Sequence, residues 1–277
     1  MKTIDLAILG ATPAEIAPLL VLGPSIGVNM AGHAFSICTR RGLELLIGTT
    51  GVGKVNAAAV AAAALSIFRA GEVWNVGCAG AYCGSGLEIG DVLVTENCIC
   101  ADEGILGEEG PMPASSLGIP LVVRNGQPFY DCFPLGDFLS RTQVRALLPP
   151  GTYGPDSSGG IRPCEPRDSQ PGDIDPAGDA AKRCGFRVQY GPSLTVGMVS
   201  GDVQTADARF RRFGALAENM EGSAIAQTCL LFDVPFLEFR GISNMAGVRD
   251  KARWVLDAAT EHCTAVIIHL LDKSRES

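Results

Sequence analysis

Short apolar runs alternate with longer segments of helical spacing along most of this chain. The apolar runs predict buried strands at 3–9, 43–48, 73–76, 91–96, 193–200 and 235–242. The intervening segments predict a short helix from Pro13 and longer helices at 53–69, 204–213, 221–232 and 251–273. Strands that alternate with helices predict an α/β fold, with a largely parallel or mixed sheet flanked by helices.

The alternation fails between residues 104 and 190. Within this part, the segment 151–178 is rich in Pro, Gly, Ser and Asp and has little apolar content, which is typical of a loop or mobile segment. We interpret 1–277 as a single domain with an irregular insertion at about 104–190. The segment 151–178 is either a lid over a site or a solvent-exposed excursion, and the sequence leaves both open.

Composition narrows the choice of partner and compartment. Of the 277 residues, 47% are hydrophobic, which is enough for a sizeable core. The net charge of −8 argues against a nucleic-acid partner, because phosphate binding needs a basic surface. No apolar stretch is long enough to predict a membrane span. Asp5 interrupts the apolar N-terminal run, which favours a first strand over an export signal and predicts a cytoplasmic protein.

The ten cysteines do not show the spacing of a metal or redox site. No pair forms a C-x-x-C motif, and the chain has only 3 histidines, so we expect no zinc site. Cys78, Cys229 and Cys263 stand inside apolar segments, where a free cysteine behaves as a small hydrophobic residue. A reduced protein is predicted.

Two glycine-rich turns follow predicted strands. The first, from Gly48 to Lys54, has the G-x-x-x-x-G-K spacing of a phosphate loop. It carries Val55 where that motif needs Ser or Thr for magnesium, so a tight strand-to-helix turn is the better interpretation. The second is Gly77-Cys78-Ala79-Gly80, whose glycines would let the backbone approach a ligand closely. A plain turn is the alternative there.

Two short C-terminal segments carry candidate chemistry. Asn219-Met220-Glu221-Gly222 places a carboxylate at the start of a small-residue helix. Arg240-Gly241-Ile242-Ser243-Asn244 places an amide side chain near the end of a buried strand. A glutamate and an asparagine so arranged could hold a ribose diol and a purine, which points to an enzyme that cleaves nucleosides.

Taken together, seven motifs resemble the nucleoside phosphorylase and nucleosidase superfamily and occur in the order seen in that family. They are Leu9–Glu15, Thr50–Ala58, Gly77–Ala81, Ile89–Val92, Ser200–Asp202, Asn219–Gly222 and Arg240–Asn244. The resemblance implies a three-layer α/β/α fold around a mixed, partly barrel-like central sheet. It also implies a small-molecule nucleoside substrate and a homodimer or larger homo-oligomer.

Within that superfamily, Ala101–Gly104, Gly247–Asp250 and nearby Trp254 are similar to the futalosine hydrolase branch. This implies cofactor-free and metal-free hydrolysis in menaquinone biosynthesis. Futalosine is a nucleoside with hypoxanthine as its base and a benzoate-bearing chain at the 5′ end. Two alternatives stay open: a methylthioadenosine/S-adenosylhomocysteine nucleosidase, and a nucleoside-binding protein without turnover.

The resemblance implies a role for several individual residues. Glu15 matches the glutamate that activates water, although a helix-surface glutamate would look the same. Glu221 matches the acceptor for the ribose 2′- and 3′-hydroxyls, and an acid at a helix N-terminus is also favoured by the helix dipole. Met220 matches the methionine against the ribose face, or fills the core. Contacts to substrate are further implied for Cys78, Ala79, Gly80, Asn219 and Ser243.

Asn244 is the most informative departure from the family pattern. Methylthioadenosine nucleosidases carry Asp at this place, which suits N7 and the amino group of adenine. Hypoxanthine presents two acceptors there, N7 and O6, and an Asn amide can donate two N–H bonds to such an edge. Asn244 therefore favours a 6-oxopurine, unless it only caps a turn.

Three further points follow from the resemblance. Phosphorolysis is disfavoured, because 13–19 holds no arginine and Asn75 stands where a phosphate-binding arginine is expected. No aromatic residue follows Ser200–Asp202, so Gln204 is a candidate to bind the base, or Phe129, Tyr130 or Phe133 to stack on it. Arg249 and Arg253 are candidates to bind the substrate carboxylate.

Overall fold

The computed structural model describes residues 2–108, 110–135, 141–156, 160–164 and 185–273. Within these residues a mixed sheet of twelve strands forms the centre of the molecule. Two small hairpins stand apart from it, β7–β8 and β9–β10. In chain order the strands are β1 Lys2–Gly10, β2 Ser25–Met30, β3 His33–Arg40, β4 Leu43–Thr49, β5 Phe68–Ala81, β6 Val92–Cys100, β7 Gly104–Gly107, β8 Gly110–Pro113, β9 Val122–Arg124, β10 Gln127–Phe129, β11 Cys132–Pro134, β12 Gly151–Pro155, β13 Ile161–Pro163, β14 Phe186–Thr195, β15 Ala217–Asn219 and β16 Phe236–Met245.

Helices flank the sheet in two groups. They are α1 Pro13–Ile16, α2 Lys54–Ile67, α3 Arg141–Leu147, α4 Val203–Phe213, α5 Gly222–Phe232 and α6 Leu256–Lys273, with 3₁₀ turns at Ala17–Leu19, Ala114–Leu117 and Lys251–Arg253. Helix α2 packs against α5, while α6 packs against α1, α3 and strand β16. The predicted three-layer α/β/α arrangement is confirmed. No helix in the described part of the chain is long and apolar enough to cross a lipid bilayer.

Five strands close into a ring inside the larger sheet. Strand β5 pairs with β16, β16 with β6, β6 with β14, and β14 with β15. The short strand β15 then returns to β5, where Ala217 lies opposite Ala81 and Glu218 opposite Gly80. The partly barrel-like sheet expected from the family resemblance is therefore confirmed, and the closure places β15 beside the end of β5.

Most predicted elements are present, with shifted ends. Strand β5 runs from Phe68 to Ala81, far beyond the predicted 73–76, and its pairing with β1 begins at Phe68 opposite Lys2. Helix α2 consequently ends at Ile67. The strand predicted at 193–200 is shifted to 186–195, and the final helix begins only at Leu256.

The described part of the 104–190 segment contains more regular structure than the sequence indicated. Strands β11, β12, β13 and the first half of β14 fall within it, and all four belong to the central sheet. Strands β11, β12 and β13 are short and contain Gly or Pro, so a periodicity analysis does not detect them. The segment 151–178, interpreted as either a lid or a solvent-exposed excursion, lies largely outside the described residues, and the single-domain interpretation stays a prediction.

Candidate active site

A cavity of about 240 Å³ opens where the carboxyl ends of β1, β5 and β16 meet strand β15. It is lined by Ala11, Thr12, Glu15, Val52, Cys78, Ala79, Gly80, Val199, Ser200, Glu218, Asn219, Met220, Glu221, Ser243, Asn244, Gly247, Arg249, Trp254 and Leu256. Residues far apart in sequence meet here because parallel strands end at the same edge of the sheet.

The structure brings nine predicted site residues into this one lining. They are Glu15, Cys78, Ala79, Gly80, Asn219, Met220, Glu221, Ser243 and Asn244. Gln204 is separate: its side chain is exposed on α4 and is not part of the lining. The structure shows that these nine residues lie together, and the role of each residue stays a prediction.

Glu15 is held at the cavity wall by three hydrogen bonds. Helix α1 begins with a capping box, in which Glu15 Oε2 accepts from the Thr12 N–H at 2.8 Å and from Thr12 Oγ1 at 3.0 Å. Oε1 accepts from the Cys78 N–H of β5 at 2.9 Å. A Cβ at Gly77 would lie 2.6 Å from Oε1, so glycine is needed there for the carboxylate to come this close. Glu15 is therefore a fixed wall residue and not a helix-surface one.

Glu221 lies at the N-cap position of α5 and is 5% exposed. Its Oε1 accepts from the Gly53 N–H at 3.0 Å, and its Oε2 lies 3.6 Å from Arg240 Nη1. The predicted tight turn before α2 thus directs its backbone N–H at a carboxylate. Lys54 in the same turn is paired with Asp102 at 2.6 Å and Glu103 at 3.1 Å.

The charge of Glu221 predicts a pH dependence. Burial raises the pKa of its carboxyl, Arg240 and the Gly53 N–H oppose the rise, and the charges of Glu15 and Glu238 add to it. The ionised form is the one predicted to accept the ribose hydroxyls, so we expect kcat/KM to fall on acidification at a higher pH than for an ordinary carboxyl group, whose pKa is about 4.3. The pH dependence of folding stability has the opposite sign to that of kcat/KM. A raised folded-state pKa contributes stability that is present at low pH and is lost as the pH rises through that pKa.

Measurement of kcat/KM against pH, alongside the melting temperature, checks this expectation. An acid limb at an ordinary carboxyl pKa would contradict it, as would an acid loss that only follows unfolding.

Asn244 is oriented by two neighbours of opposite character. The register of β16 against β5 shifts between Ile242 and Asn244, which turns the amide toward Gly80. Oδ1 accepts from Ser243 Oγ at 2.9 Å, and Nδ2 donates to the Met245 carbonyl at 3.0 Å. Because that carbonyl can only accept, the nitrogen must face it. One amide N–H is left for a ligand, where the sequence analysis expected two.

The comparison with known proteins settles the family. The profile of the phosphorylase superfamily matches residues 5–272. The chain belongs to the phosphorylase superfamily. The family predicted from the seven motifs is thereby confirmed.

Individual members of the superfamily are similar over most of the chain. A futalosine hydrolase from Thermus thermophilus is 31% identical over 245 residues, covering 87% of this chain and 89% of its own. A 5′-methylthioadenosine/S-adenosylhomocysteine nucleosidase from Mycobacterium bovis is 26% identical over 249 residues, covering 88% and 87%. The same kind of nucleosidase from Colwellia psychrerythraea, crystallised with adenine, superposes with a TM-score of 0.71 at 21% identity over 98% of this chain and 96% of its own. The relatives are nucleosidases, as the predicted enzyme class requires.

One buried carboxylate in the cavity wall, Glu218, was not predicted from the sequence. Glu218 accepts from the Ser200 N–H and Ser200 Oγ, both at 2.7 Å, from the Tyr82 hydroxyl at 2.9 Å, and from Arg209 at 3.1 Å. It therefore fastens the Ser200 loop to β15. Its partners come from three separate segments, so no local signal could have identified it.

The aromatic candidates for base stacking lie elsewhere. Phe133 is fully buried in the main core, Phe129 packs against that core, and neither these residues nor Tyr130 line the cavity.

Of the two candidate cations, Arg253 is exposed outside the lining. Arg249 lines the cavity with its guanidinium carbon 4.9 Å from the Trp254 ring centroid.

The cysteine in the cavity wall is a poor nucleophile. Burial, with a smaller contribution from Glu15, raises the pKa of Cys78 to about 11, so its thiol is protonated at neutral pH. All nine cysteines in the described ranges are free. These ranges also contain no group of three or more His, Cys, Asp or Glu side chains placed to hold a metal ion.

Proposed function

We propose that this chain hydrolyses the N-glycosidic bond of futalosine and releases hypoxanthine and dehypoxanthine futalosine, in menaquinone biosynthesis. The observation that carries the proposal is the amide of Asn244, which keeps one N–H for a ligand in the same cavity as the Glu15 carboxylate. Cleavage of this bond develops positive charge on the ribose and negative charge on the departing base. Both charges need a partner.

The purine end of the cavity suits a 6-oxopurine. The remaining Nδ2 hydrogen of Asn244 can donate to N7 or O6, both of which are acceptors on the same edge of hypoxanthine. Donation to N7 stabilises the anionic leaving group. Adenine would present its amino group to the same amide nitrogen, so two donors would meet.

The ribose end carries groups suited to hydroxyls. The Glu221 carboxylate can accept from the 2′- and 3′-hydroxyls, with Met220 against the sugar face. Asn219 Oδ1 accepts from the N–H groups of Glu221 and Gly222 at 3.0 and 2.8 Å, which fixes the turn. Its buried Nδ2 has no hydrogen-bond partner within the described residues and is free to donate to a sugar oxygen.

Water is a better nucleophile here than phosphate. Glu15 can take a proton from water while its other contacts hold it in place. Arg249 is the one basic side chain among the described lining residues, and its guanidinium lies against the Trp254 ring. Asn75, at the place of a phosphate-binding arginine, donates to Glu238 at 2.8 Å. A doubly charged phosphate would therefore meet the cavity carboxylates, with Arg249 as the one basic partner in the described lining.

Arg249 is the candidate for the carboxylate of futalosine, and its replacement tests that assignment. We expect Arg249→Gln to raise KM for futalosine about 10-fold, the scale of a charge-assisted hydrogen bond, and to leave KM for inosine unchanged. Arg253→Gln is the matched control, because Arg253 is exposed nearby but outside the lining. Equal effects of both variants, or equal effects on both substrates, would remove Arg249 from substrate recognition.

A methylthioadenosine/S-adenosylhomocysteine nucleosidase is the second candidate, supported by the Mycobacterium bovis relative at 26% identity. The test is kcat/KM of the pure protein for futalosine, inosine and methylthioadenosine, with and without phosphate. Futalosine is expected to be cleaved best, at a rate independent of phosphate. Preference for methylthioadenosine would refute the substrate assignment, and a requirement for phosphate would refute hydrolysis. The cytoplasmic location and the homodimer stay predictions.

A further inference from the structure

Side chains from four strands of the closed ring converge on one buried carboxylate, Glu238, which is fully shielded from solvent. Its Oε1 accepts from Thr95 Oγ1 at 2.9 Å and from Ser193 Oγ at 2.5 Å. Its Oε2 accepts from Asn75 Nδ2 at 2.8 Å and from Arg240 Nη2 at 2.9 Å. So many donors around one group compensate its desolvation and keep it ionised.

The start of α5 is shaped around this carboxylate. A Cβ on Gly222 would overlap Glu238 Oε2, so only glycine fits between the helix and the acid. Gly222 directly follows Glu221. The same turn of backbone therefore contacts the buried Glu238 and carries the carboxylate of the cavity wall.

Arg240 connects Glu238 to the cavity. Glu238 and Arg240 are two residues apart on β16 and so point to the same face of the sheet. One arm of the guanidinium binds Glu238, and the other lies 3.6 Å from Glu221 Oε2. A Cβ on Gly77 would lie 2.6 Å from Glu15 Oε1 and 2.8 Å from Arg240 Nη1, so these two groups also approach each other. Arg240 itself does not line the cavity, and it acts through the two carboxylates that do.

We propose that Glu238 is a positioning residue for catalysis: it anchors Arg240 between Glu221 and Glu15, and so sets the orientation and charge of both cavity carboxylates. This role rests on the proposed nucleosidase function, but it does not depend on which nucleoside is the substrate.

The charges around this group fix the sign of the expected effect. The ionisable groups facing Glu221 are Arg240, Glu15 and Glu238, and those facing Glu238 include Arg240 and the Cys98 thiol. Removal of the Glu238 charge takes one repulsive neighbour from Glu221. It also leaves Arg240 with one anionic partner fewer, so that Arg240 attracts the Glu221 carboxylate more strongly. Both changes lower the pKa of Glu221.

The test compares Glu238→Gln with the wild type on whichever nucleoside the wild type cleaves fastest. We expect kcat to fall about 10–100-fold, the scale of a lost charge-assisted hydrogen bond, with KM changed less than about 3-fold. The acid limb of kcat/KM should move to lower pH by about half a unit or more. A lower melting temperature with kcat and the acid limb unchanged would mean a merely structural role and would overturn the proposal.

Two further variants keep the test decisive. Asp91→Asn removes another buried carboxylate, one that binds Arg187 at 2.7 Å outside the cavity lining, and should lower stability without moving the acid limb. Asn75→Asp with Glu238→Gln exchanges the hydrogen-bonded pair and returns the charge beside Arg240. It should restore kcat to within about 3-fold of wild type. If Glu238→Gln alone does not fold, the double variant still tests the proposal, because a folded but inactive double variant would overturn it.

Failure of the proposed function gives a result that is distinguishable from failure of the Glu238 proposal. A wild type that prefers methylthioadenosine refutes the substrate and leaves the Glu238 comparison intact. If the wild type cleaves no nucleoside, the proposed function fails, and the same acid shift is then read from the pH dependence of nucleoside binding to both proteins.

Discussion

Replacement of Glu15 by Gln is expected to lower kcat by about 10²–10⁴-fold, the range that a positioned general base contributes. The amide keeps the size of the side chain but cannot take a proton from water. Binding of the nucleoside should change little, because the base and ribose contacts come from other residues. The measurements are single-turnover kinetics and the dissociation constant of the intact nucleoside.

The Glu15→Gln substitution is also expected to lower the stability of the fold, for a reason separate from catalysis. Glu15 accepts from the Thr12 N–H with one oxygen and from the Cys78 N–H with the other, and a Gln amide has only one acceptor oxygen, so the variant should also lose about 1 kcal/mol of stability. Glu261→Gln, on the exposed face of α6, is the matched control and should leave kcat unchanged. Turnover within a few-fold of wild type in a folded Glu15→Gln protein would exclude Glu15 as the base. If the wild type were equally slow, the same result would favour a nucleoside-binding protein without turnover.

Asn244→Asp is expected to shift the preference from hypoxanthine toward adenine nucleosides by about 10–100-fold in the ratio of kcat/KM values. A mismatched buried polar pair costs about 1–3 kcal/mol. The new carboxyl oxygen would face the Met245 carbonyl that now accepts from Nδ2 at 3.0 Å. Two acceptors in contact favour a protonated Asp, and its single O–H, once turned from the Met245 carbonyl toward the purine, can donate to N7 while its other oxygen accepts from the adenine amino group.

The measurement is kcat/KM for inosine and adenosine, and for futalosine and methylthioadenosine. Asn125→Asp, at an exposed turn, makes the same chemical change far from the cavity and should leave every ratio unaltered. An Asn244→Asp protein that cleaves well and keeps the wild-type ratio would show that residue 244 does not read the purine edge.

Much of the fold could be predicted because its signals are local. The apolar runs that became β1, β4 and β16 are bounded by turn residues, and the motifs at their carboxyl ends fall in the cavity wall. The hairpin β2–β3 was missed. Its strands lie at the end of the central sheet, and their burial pattern is too irregular to read as alternation.

The site was predictable at the level of residues but not of contacts. Thr12 and Glu15 have the spacing of a capping box, yet only the register of β1 against β5 brings Glu15 to the Cys78 N–H. Glu218 and Glu238 were not found, because most of their partners are 18 to 163 residues away and no short motif contains them. Gln204 was selected for its place after Ser200–Asp202, but Asp202 caps α4 and the helix presents Gln204 to solvent.

A crystal structure of the Glu15→Gln variant with intact futalosine tests the account most directly. It should show Asn244 Nδ2 about 3 Å from N7 or O6 of hypoxanthine, Glu221 on the ribose hydroxyls, and residue 15 facing the anomeric carbon. The benzoate should lie at Arg249. A structure in which residue 244 points away from the base, or residue 15 lies far from the anomeric carbon, would contradict it.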